Sequence, residues 1–338
     1  MPAFVLPSIP PASFLKQKEQ KLTLIDRIFG GIFGLLLGDA CGVPVEFSPR
    51  AERLHDPVTD MRGWGCHAQP PGHWSDDGAL ALAHIAAFID TQGWQPEYHI
   101  QEFSAWYEKG KHCAGRGVFD IGESTSRAIL RHLSGNPWYA CGCRGLFDNG
   151  NGSLMRILPV GLWLWQSDIE TRAQVLSEAS TLTHGHRRSE LACIWYGEIC
   201  AAMLAGKDLQ RAHHIAFQNT RRLHIEKEWQ HLIPISSGAC YKKSRNEITS
   251  NGYVISCLEA ALWCLEQHHT FRDTILEAVN LGGDTDTTAA VCGGLAGLRY
   301  GYSGLPKEWL ACLPRQSYVH DLALDFADQI TRSPLLFS

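Results

Sequence analysis

The residues in this chain best suited to chemistry are aspartates that stand in pairs just before apolar stretches of small residues. Asp76 and Asp77 follow Ser75 and lead directly into a run rich in alanine and leucine. Serine and aspartate are also ordinary helix starters, because a hydroxyl can accept a first-turn N–H and a carboxylate favours the positive end of the helix dipole. Helix capping by Ser75 is therefore the alternative explanation of this cluster.

A second cluster places Asp284 and Asp286 among threonines, ahead of a small-residue run that starts at Ala289. One capping side chain is enough for the free N–H groups of a helix's first turn. This sequence instead places two acidic residues at each of two predicted helix starts. Four converging carboxylates would repel one another and lose their charge unless a cation neutralised them. Their hard oxygen ligands predict Mg²⁺ or Mn²⁺, and not zinc or iron held by cysteine or histidine.

Glycine-rich segments form a third group of candidate binding residues. Gly115, Gly117, Gly150 and Gly152 would leave backbone N–H groups open to a diphosphate, although ordinary turns explain the same glycines. The glycines of residues 30–38 follow no strand, so they indicate close helix packing and not a dinucleotide-binding turn.

Two further polar positions allow more than one interpretation. His184 and His186 could bind a metal, act as a base, or cap the helix that begins at Arg187. Tyr253 could stack on a ligand or pack the start of a core helix.

The composition excludes several classes of protein. A net charge of −5 and a pI near 6.3 argue against a nucleic-acid binder. The proline-broken start lacks the pattern of a signal peptide, and no segment is expected to span a membrane. The twelve cysteines are scattered through apolar helical runs, which favours reduced thiols and a cytoplasmic protein. Cys141 and Cys143 lack a second pair at zinc spacing.

The hydrophobic spacing predicts an all-α protein with one compact multi-helix domain over residues 23–338 and an extended, proline-rich arm over residues 1–22. Residues 232–253 are the best linker candidate, yet the chemical motifs lie on both sides of it and must meet, which favours one domain. Helical runs are predicted from Asp26 onward and at about 78–91, 98–109, 120–133, 171–180, 187–205, 255–268, 271–280 and 286–300.

Most of the chain after residue 26 resembles the ADP-ribosylglycohydrolase family. This family includes the ADP-ribosylarginine hydrolases and the enzyme that reactivates ADP-ribosylated dinitrogenase reductase. The resemblance lies in short segments that occur in the family's order. They are GLLLGDACGVPVE (34–46), SDD (75–77), GRGVFDIG (115–122), NGNGSLMR (149–156), THGH (183–186) and GDTDT (283–287).

The resemblance implies a role for each matching residue. Glu46 matches a glutamate near the scissile bond, and Asp120 matches an aspartate beside the terminal ribose. Family members often carry threonine where this chain has Gly78, so that side chain is lost here. A pair of Mg²⁺ or Mn²⁺ ions is implied at Ser75, Asp76, Asp77, Asp284, Asp286 and Thr287. ADP-ribose contacts are implied at Gly115, Gly117, Asn151, Gly152, Ser153, Met155, His184 and Tyr253.

The implied reaction removes ADP-ribose from a modified protein by cleaving the N-glycosidic bond to an arginine. Glu46 or Asp120 would move the proton, and the choice between them stays open. A bulky, planar guanidinium leaving group would need an open cleft beside these two carboxylates. The alternatives are a metal-dependent nucleotide phosphohydrolase and a catalytically silent protein that binds ADP-ribose or a partner.

The N-terminal arm mixes apolar residues with prolines and can dock as an extended peptide. Some similar bacterial hydrolases act as immunity proteins against ADP-ribosyltransferase toxins, so residues 1–22 are expected to contact such a toxin. A disordered terminus is the alternative. Removing residues 1–20 should spare hydrolysis and weaken binding to a cognate transferase, and unchanged binding would refute the idea.

Overall fold

The computed structural model describes residues 22–115, 117–223 and 226–332. Within these ranges the secondary structure is α-helical, with short 3-10 turns and isolated β-bridges but no strand, which confirms the all-α prediction. The predicted arm lies outside the described residues apart from Leu22. The helices are α1 (Leu24–Gly42), α2 (Arg50–His55), α3 (Asp76–Thr91), α4 (Pro96–Lys109), α5 (Glu123–Leu133), α6 (Leu158–Trp163), α7 (Ile169–Thr181), α8 (Arg187–Leu204), α9 (Leu209–Arg221), α10 (Glu226–Ser236), α11 (Val254–Gln267), α12 (Phe271–Asn280), α13 (Thr285–Tyr300), α14 (Lys307–Cys312) and α15 (Gln316–Arg332).

Helices α1 and α13 pack together at the centre of the protein because glycines line their contact. A Cβ atom added to Gly30, Gly34 or Gly38 would lie 2.3, 2.4 or 2.0 Å from a carbonyl oxygen of α13. From the other side, a Cβ on Gly293 would lie 2.2 Å from the carbonyl oxygen of Gly34. The prediction that these glycines serve helix packing is confirmed. The close approach also brings the end of α1 to the start of α13.

Gly34→Ala should therefore destabilise the fold by about 3 kcal/mol, because the new methyl group meets backbone that cannot rotate away. Gly93→Ala is the matched control, since nothing lies within 4 Å of a Cβ at that position. Urea unfolding of both variants measures the difference. Equal midpoints for the two variants would show that α1 and α13 can separate freely.

Helix α1 also corrects one expectation. The segment Leu24–Val45 is long and apolar enough to cross a membrane by length and composition, contrary to the sequence-based prediction. Its whole apolar window is buried inside the protein. The apolar character of this segment is thus explained by its position as the central core helix.

The helices α3 to α5, α7, α8 and α11 to α13 were all predicted, and their observed boundaries lie within a few residues of the predicted ones. Helix α5 begins at Glu123, not at Asp120, because Asp120 has a left-handed φ of 59° that a helix cannot contain. Helices α2, α6, α9, α10, α14 and α15 were not predicted.

The linker candidate at residues 232–253 is wrong as a boundary. Its first residues belong to α10, and Arg50 ties the remainder to the rest of the fold. The Arg50 guanidinium donates to the carbonyl oxygens of Arg245 at 2.8 Å, Ile248 at 2.6 Å and Leu281 at 2.8 Å. Helix α11 then continues into the same hydrophobic core as α13.

Candidate active site

The start of α3 is capped by a residue of another helix. Asp39, near the end of α1, accepts hydrogen bonds from the backbone N–H of Ser75 at 2.9 Å and of Gly78 at 2.8 Å. The predicted cap is present too, since the Ser75 hydroxyl accepts from the N–H of Asp77 at 3.3 Å. Because Asp39 and Ser75 supply the caps, the carboxylates of Asp76 and Asp77 are not needed for that purpose.

The second acidic cluster lies at the start of α13, where one oxygen of Asp286 accepts from the N–H of Thr287 at 2.8 Å and the other oxygen has no partner among the described residues. Asp284 occupies the cap position, yet its side chain accepts no hydrogen bond from the first turn. The Thr285 hydroxyl donates to the carbonyl oxygen of Gly42 at 2.8 Å, which joins the start of α13 to the end of α1. Gly42 is required there, because an added Cβ would lie 2.4 Å from the Asp286 backbone.

The two clusters meet in the folded chain. The Thr287 hydroxyl lies 3.5 Å from Oδ2 of Asp77, although 210 residues separate them. Carboxylate oxygens of Glu46, Asp284 and Asp286 all lie within 4.8 Å of one another. The prediction that both clusters contribute to one acidic centre therefore agrees with this geometry.

The donor atoms of this centre fit a divalent cation. Among the described residues, Asp77 Oδ1, Asp284 Oδ1 and Asp286 Oδ2 are buried without a hydrogen-bond partner. Burial raises the pKa of Asp76, Asp77, Asp284 and Asp286, and neighbouring carboxylates raise each pKa further. A cation would stabilise the ionised carboxylates and occupy the free oxygens.

The absence of a side chain at Gly78 has a local cause. A Cβ at this position would lie 2.6 Å from Leu36 and 2.8 Å from the Trp74 ring. These two apolar side chains fill the space that a threonine would take.

Glu46 lies beside the acidic centre and contacts a histidine that the sequence analysis did not identify. His67 Nε2 lies 2.5 Å from Glu46 Oε2 and 3.7 Å from Asp120 Oδ1, so the imidazole is hydrogen-bonded to Glu46 and lies next to Asp120. Burial and the charges of Asp120 and Asp284 raise the pKa of Glu46 to about 10. A carboxyl group that keeps its proton near neutral pH can act as a general acid.

The backbone around this pair is strained. Phe47, Trp64, Ala68 and Asp120 have φ values of 61°, 71°, 52° and 59°, in the left-handed region that such residues rarely adopt. Strained residues cluster at functional sites because the surrounding structure must hold them there. This strain supports the assignment of Glu46 and Asp120 to the reaction centre.

The predicted binding loop lies next to the acidic centre. Asn151 donates from Nδ2 to Oδ2 of Asp284 at 2.9 Å, so it orients a candidate metal ligand. Its backbone N–H donates to the carbonyl oxygen of Gly252 at 3.0 Å, and Gly150 forms an antiparallel bridge with Tyr253. The loop and Tyr253 are thereby held together, and Arg188 covers the Tyr253 ring at 5.7 Å.

Other predicted binding residues take different positions. Ser153 is fully buried, and its hydroxyl accepts from Ser180 at 2.9 Å. Met155 is buried in the core cluster. Gly117 has a φ of 93° and open space around it, whereas a Cβ on Gly115 would meet the His73 ring at 2.9 Å. Gly117 is the position whose backbone a ligand could approach most easily.

The two histidines of the 183–186 segment have separate roles. His186 caps α8, since its Nδ1 accepts from the N–H of Arg188 at 3.2 Å. This confirms the structural interpretation of His186. His184 is buried and lies close to the binding loop. A Cβ atom added to Gly152 would lie 3.2 Å from its Nε2.

A buried arginine sets the proton position of His184. Arg156 donates to Nε2 of His84 at 2.8 Å and to the Thr183 hydroxyl at 2.7 Å. A guanidinium only donates, so the Thr183 hydroxyl accepts from Arg156 and keeps its own proton to donate to Nδ1 of His184, 2.8 Å away. Burial, reinforced by Arg156, lowers the pKa of His184 to about 3. His184 is therefore neutral, and donation from Thr183 to Nδ1 favours the tautomer with its proton on Nε2, toward Gly152.

Thr183→Val should release this proton arrangement, because valine keeps the shape of threonine and removes the hydroxyl. Nitrogen-15 NMR of the histidine side chains should then show the Nδ1–H form of His184, and ADP-ribose affinity should fall roughly 3- to 10-fold for one lost hydrogen bond. Thr183→Ser is the control and should behave as the wild type. An unchanged His184 spectrum in the valine variant would contradict the assignment.

Asp39 and His67 are the site residues that sequence reasoning missed. Asp39 lies within the segment of residues 34–46 that resembles the family. The sequence therefore pointed to this segment, but it did not indicate that Asp39 caps α3. His67 lies in a stretch without periodicity, and nothing in its spacing connects it to Glu46. Only the fold reveals their partners.

Buried carboxylates at the starts of two helices, with oxygen atoms free to hold a cation, define an all-helical hydrolase site. The chain belongs to the ADP-ribosylglycohydrolase family, whose sequence profile matches residues 20–334. The overall fold agrees with a solved structure described as an ADP-ribosylglycohydrolase-related protein complex. That structure has a TM-score of 0.77 and 28% identity, and the match covers 91% of this chain and 99% of the other.

Relatives with assigned names are similar over most of their length. The ADP-ribosylarginine hydrolase Tri1 of Serratia proteamaculans is 34% identical over 88% of this chain and 78% of its own. Tri1 of Pseudomonas putida is 32% identical over 90% and 79%. The ADP-ribosyl-[dinitrogen reductase] glycohydrolase of Rhodospirillum rubrum is 30% identical over 85% and 90%.

Proposed function

We propose that this enzyme hydrolyses the N-glycosidic bond between ADP-ribose and arginine in a modified protein, with Mg²⁺ or Mn²⁺ as its cofactor. The observation that carries the proposal is the acidic centre, where Asp77 meets Thr287 and where Glu46 lies against Asp284 and Asp286. Two of the named relatives are ADP-ribosylarginine hydrolases, which supports arginine as the attachment residue.

The residues around the centre have complementary tasks in this reaction. Asp76, Asp77, Asp284 and Asp286, with the hydroxyls of Ser75 and Thr287, would hold a pair of divalent ions. Such ions orient hydroxyl groups and lower the pKa of a bound water. Asn151 keeps the Asp284 carboxylate in place through its 2.9 Å hydrogen bond.

Proton movement is assigned to Glu46 and Asp120. Burial is the main cause that raises the pKa of Glu46, and it persists when cations neutralise the neighbouring aspartates, so this carboxyl keeps its proton more readily than an ordinary glutamate. It can therefore donate that proton to the departing guanidine nitrogen. Asp120, whose side chain is partly exposed, can accept the proton of the attacking water. His67 contacts Glu46 and lies 3.7 Å from Asp120.

Binding of ADP-ribose is assigned to the loops beside this centre. The neutral His184 would donate from Nε2, and the glycine backbone at Gly117 and Gly152 would approach the diphosphate. Tyr253 would offer its ring, held by Arg188. We also propose a cytoplasmic location, because all twelve cysteines are free and ten are buried.

The linkage is tested by offering the purified enzyme arginine-, serine- and O-acetyl-linked ADP-ribose with Mg²⁺ or Mn²⁺. Release of free ADP-ribose from the arginine-linked substrate at the highest rate is expected. Much faster turnover of the serine-linked substrate would overturn the linkage. Inorganic phosphate or AMP as product would instead favour a nucleotide phosphohydrolase, and tight binding without any product would favour a silent binding protein.

A further inference from the structure

A thiol, an imidazole and a carboxylate meet at the edge of the acidic centre. Ligand atoms of Cys66, His67 and Glu46 all lie within 4.8 Å of one another. The Cys66 thiol donates to the carbonyl oxygen of Val43 at 3.1 Å, and His67 contacts Glu46 at 2.5 Å. This donor set of sulfur, nitrogen and oxygen differs from the oxygen ligands contributed by the aspartates.

The backbone holds these side chains in place. Cys66 and His67 belong to the short 3-10 turn Gly65–His67, which packs against the turn Val43–Val45 directly before Glu46. Gly65 has a φ of 55°, and a Cβ there would lie 1.7 Å from the carbonyl oxygen of Pro44. This close contact is possible only with glycine. It holds the backbone of Cys66 and His67 in a fixed position beside Glu46.

We propose that Cys66, His67 and Glu46 form a second metal site, which takes a borderline-soft divalent cation such as Zn²⁺ and stops catalysis when it is filled. Zinc binds thiolate, imidazole and carboxylate, and three protein ligands leave its fourth position for water. On binding, the Cys66 thiol and the Glu46 carboxyl each release a proton to solvent. The thiolate sulfur, the carboxylate oxygen and the neutral imidazole of His67 then bond to the metal. Glu46 and His67 are then no longer free to act in hydrolysis.

The chemistry of the ligands separates this site from the aspartate centre. Mg²⁺ and Mn²⁺ favour carboxylate, hydroxyl and water oxygens, whereas a thiolate selects softer ions. The same enzyme can therefore be activated by a hard ion and inhibited by a softer one at adjacent positions. The inhibitory site does not depend on which ADP-ribose linkage the enzyme cleaves.

The distribution of cysteines makes the site experimentally distinct. Cys66 and Cys312 are the two exposed cysteines, and the other ten are buried. Cys312 donates to the carbonyl oxygen of Glu308 within its own helix, so it resembles Cys66 in exposure and lacks the histidine and glutamate. Cys312→Ser is therefore the matched control for Cys66→Ser.

Cobalt(II) is the spectroscopic probe, because a thiolate bound to this ion gives a near-ultraviolet charge-transfer band and oxygen ligands do not. Titration of the wild type and Cys312→Ser with Co²⁺ should produce the band with one equivalent bound at the thiolate. Cys66→Ser should lack the band, and His67→Gln should need at least tenfold more Co²⁺. A band of undiminished intensity in Cys66→Ser would overturn the site.

Inhibition is measured separately, with Zn²⁺ added to enzyme in saturating Mg²⁺. The Cys66→Ser variant should keep normal basal turnover, because serine can make the same hydrogen bond to Val43, and it should need at least tenfold more Zn²⁺ for half inhibition. Equal inhibition of the variant and the wild type would mean that zinc acts at the aspartates, and the proposal would fail. The cobalt measurement reads the site even if the assumed substrate is not the natural one.

Discussion

Asp286→Ala is expected to lower turnover about a thousandfold, since a bound metal ion supplies several kcal/mol of transition-state stabilisation, about 4 kcal/mol here. Bound metal should fall in parallel. The fold should persist, because in the described part of the chain one Asp286 oxygen has no hydrogen-bond partner and the other accepts only from the N–H of the next residue, Thr287, at 2.8 Å. Turnover and metal content of the purified variant, with and without Mn²⁺, measure the effect.

Thermal unfolding separates loss of metal from loss of fold. Wild-type protein should gain about 2.7 kcal/mol at a metal concentration 100 times the Kd, and Asp286→Ala should gain almost nothing. Asp325→Ala, at an exposed position on α15, is the control and should respond like the wild type. Full metal binding and normal turnover in Asp286→Ala would restore helix capping as the explanation of the second cluster.

Without metal, the order of stability should be reversed, with Asp286→Ala more stable than the wild type. Burial and neighbouring carboxylates raise the pKa of Asp286 above its ordinary 3.8, so the folded state holds this proton more tightly than the unfolded chain does. The penalty of ionising it therefore appears as the pH rises above that value. Metal-free Asp286→Ala should be slightly more stable than metal-free wild type at pH 7, and this difference should vanish near pH 3.

Glu46→Gln is expected to reduce kcat by about 100- to 10,000-fold, the usual contribution of a general acid or base. The amide fills the space of the carboxyl but cannot transfer a proton to the leaving group. KM should change little, because Glu46 is assigned to proton transfer and not to holding ADP-ribose. Steady-state kinetics with an arginine-linked substrate provide the measurement.

Glu52→Gln is the control for this change, since Glu52 lies nearby in α2 and its side chain is exposed. It should retain wild-type kinetics. If Glu46→Gln kept more than a tenth of the wild-type kcat across the pH range, proton transfer would have to be reassigned to Asp120.

Much of the fold could be predicted because it depends on local patterns. Helices from α3 to α5 and from α11 to α13 carry apolar residues at helical spacing, which is visible without a structure. The glycines of α1 also indicated a close helix contact. Helices α9 and α15 were missed although their pattern was available, since the buried residues Val319, Ala323 and Phe326 of α15 recur at helical spacing.

The chemical inventory of the site was likewise present in the sequence. Paired aspartates among hydroxyls already suggested a hard cation, and the order of the short motifs indicated the family. The resemblance identified Glu46 and Asp120 as reaction residues. It did not indicate that both lie close to His67. No rule of spacing connects three residues that lie on separate loops.

Tertiary structure alone decided which polar groups are partners. Asp39 takes over the capping of α3 from a position 36 residues before Ser75, and this leaves Asp76 and Asp77 free for a metal. Arg156 donates to Thr183, which in turn contacts Nδ1 of His184, and Gly65 brings Cys66 to Glu46. Residue types and local periodicity determined the helices and the ligand chemistry. Long-range packing determined which donor faces which acceptor, because hydrogen bonds between distant segments depend on how α1, α3 and α13 meet.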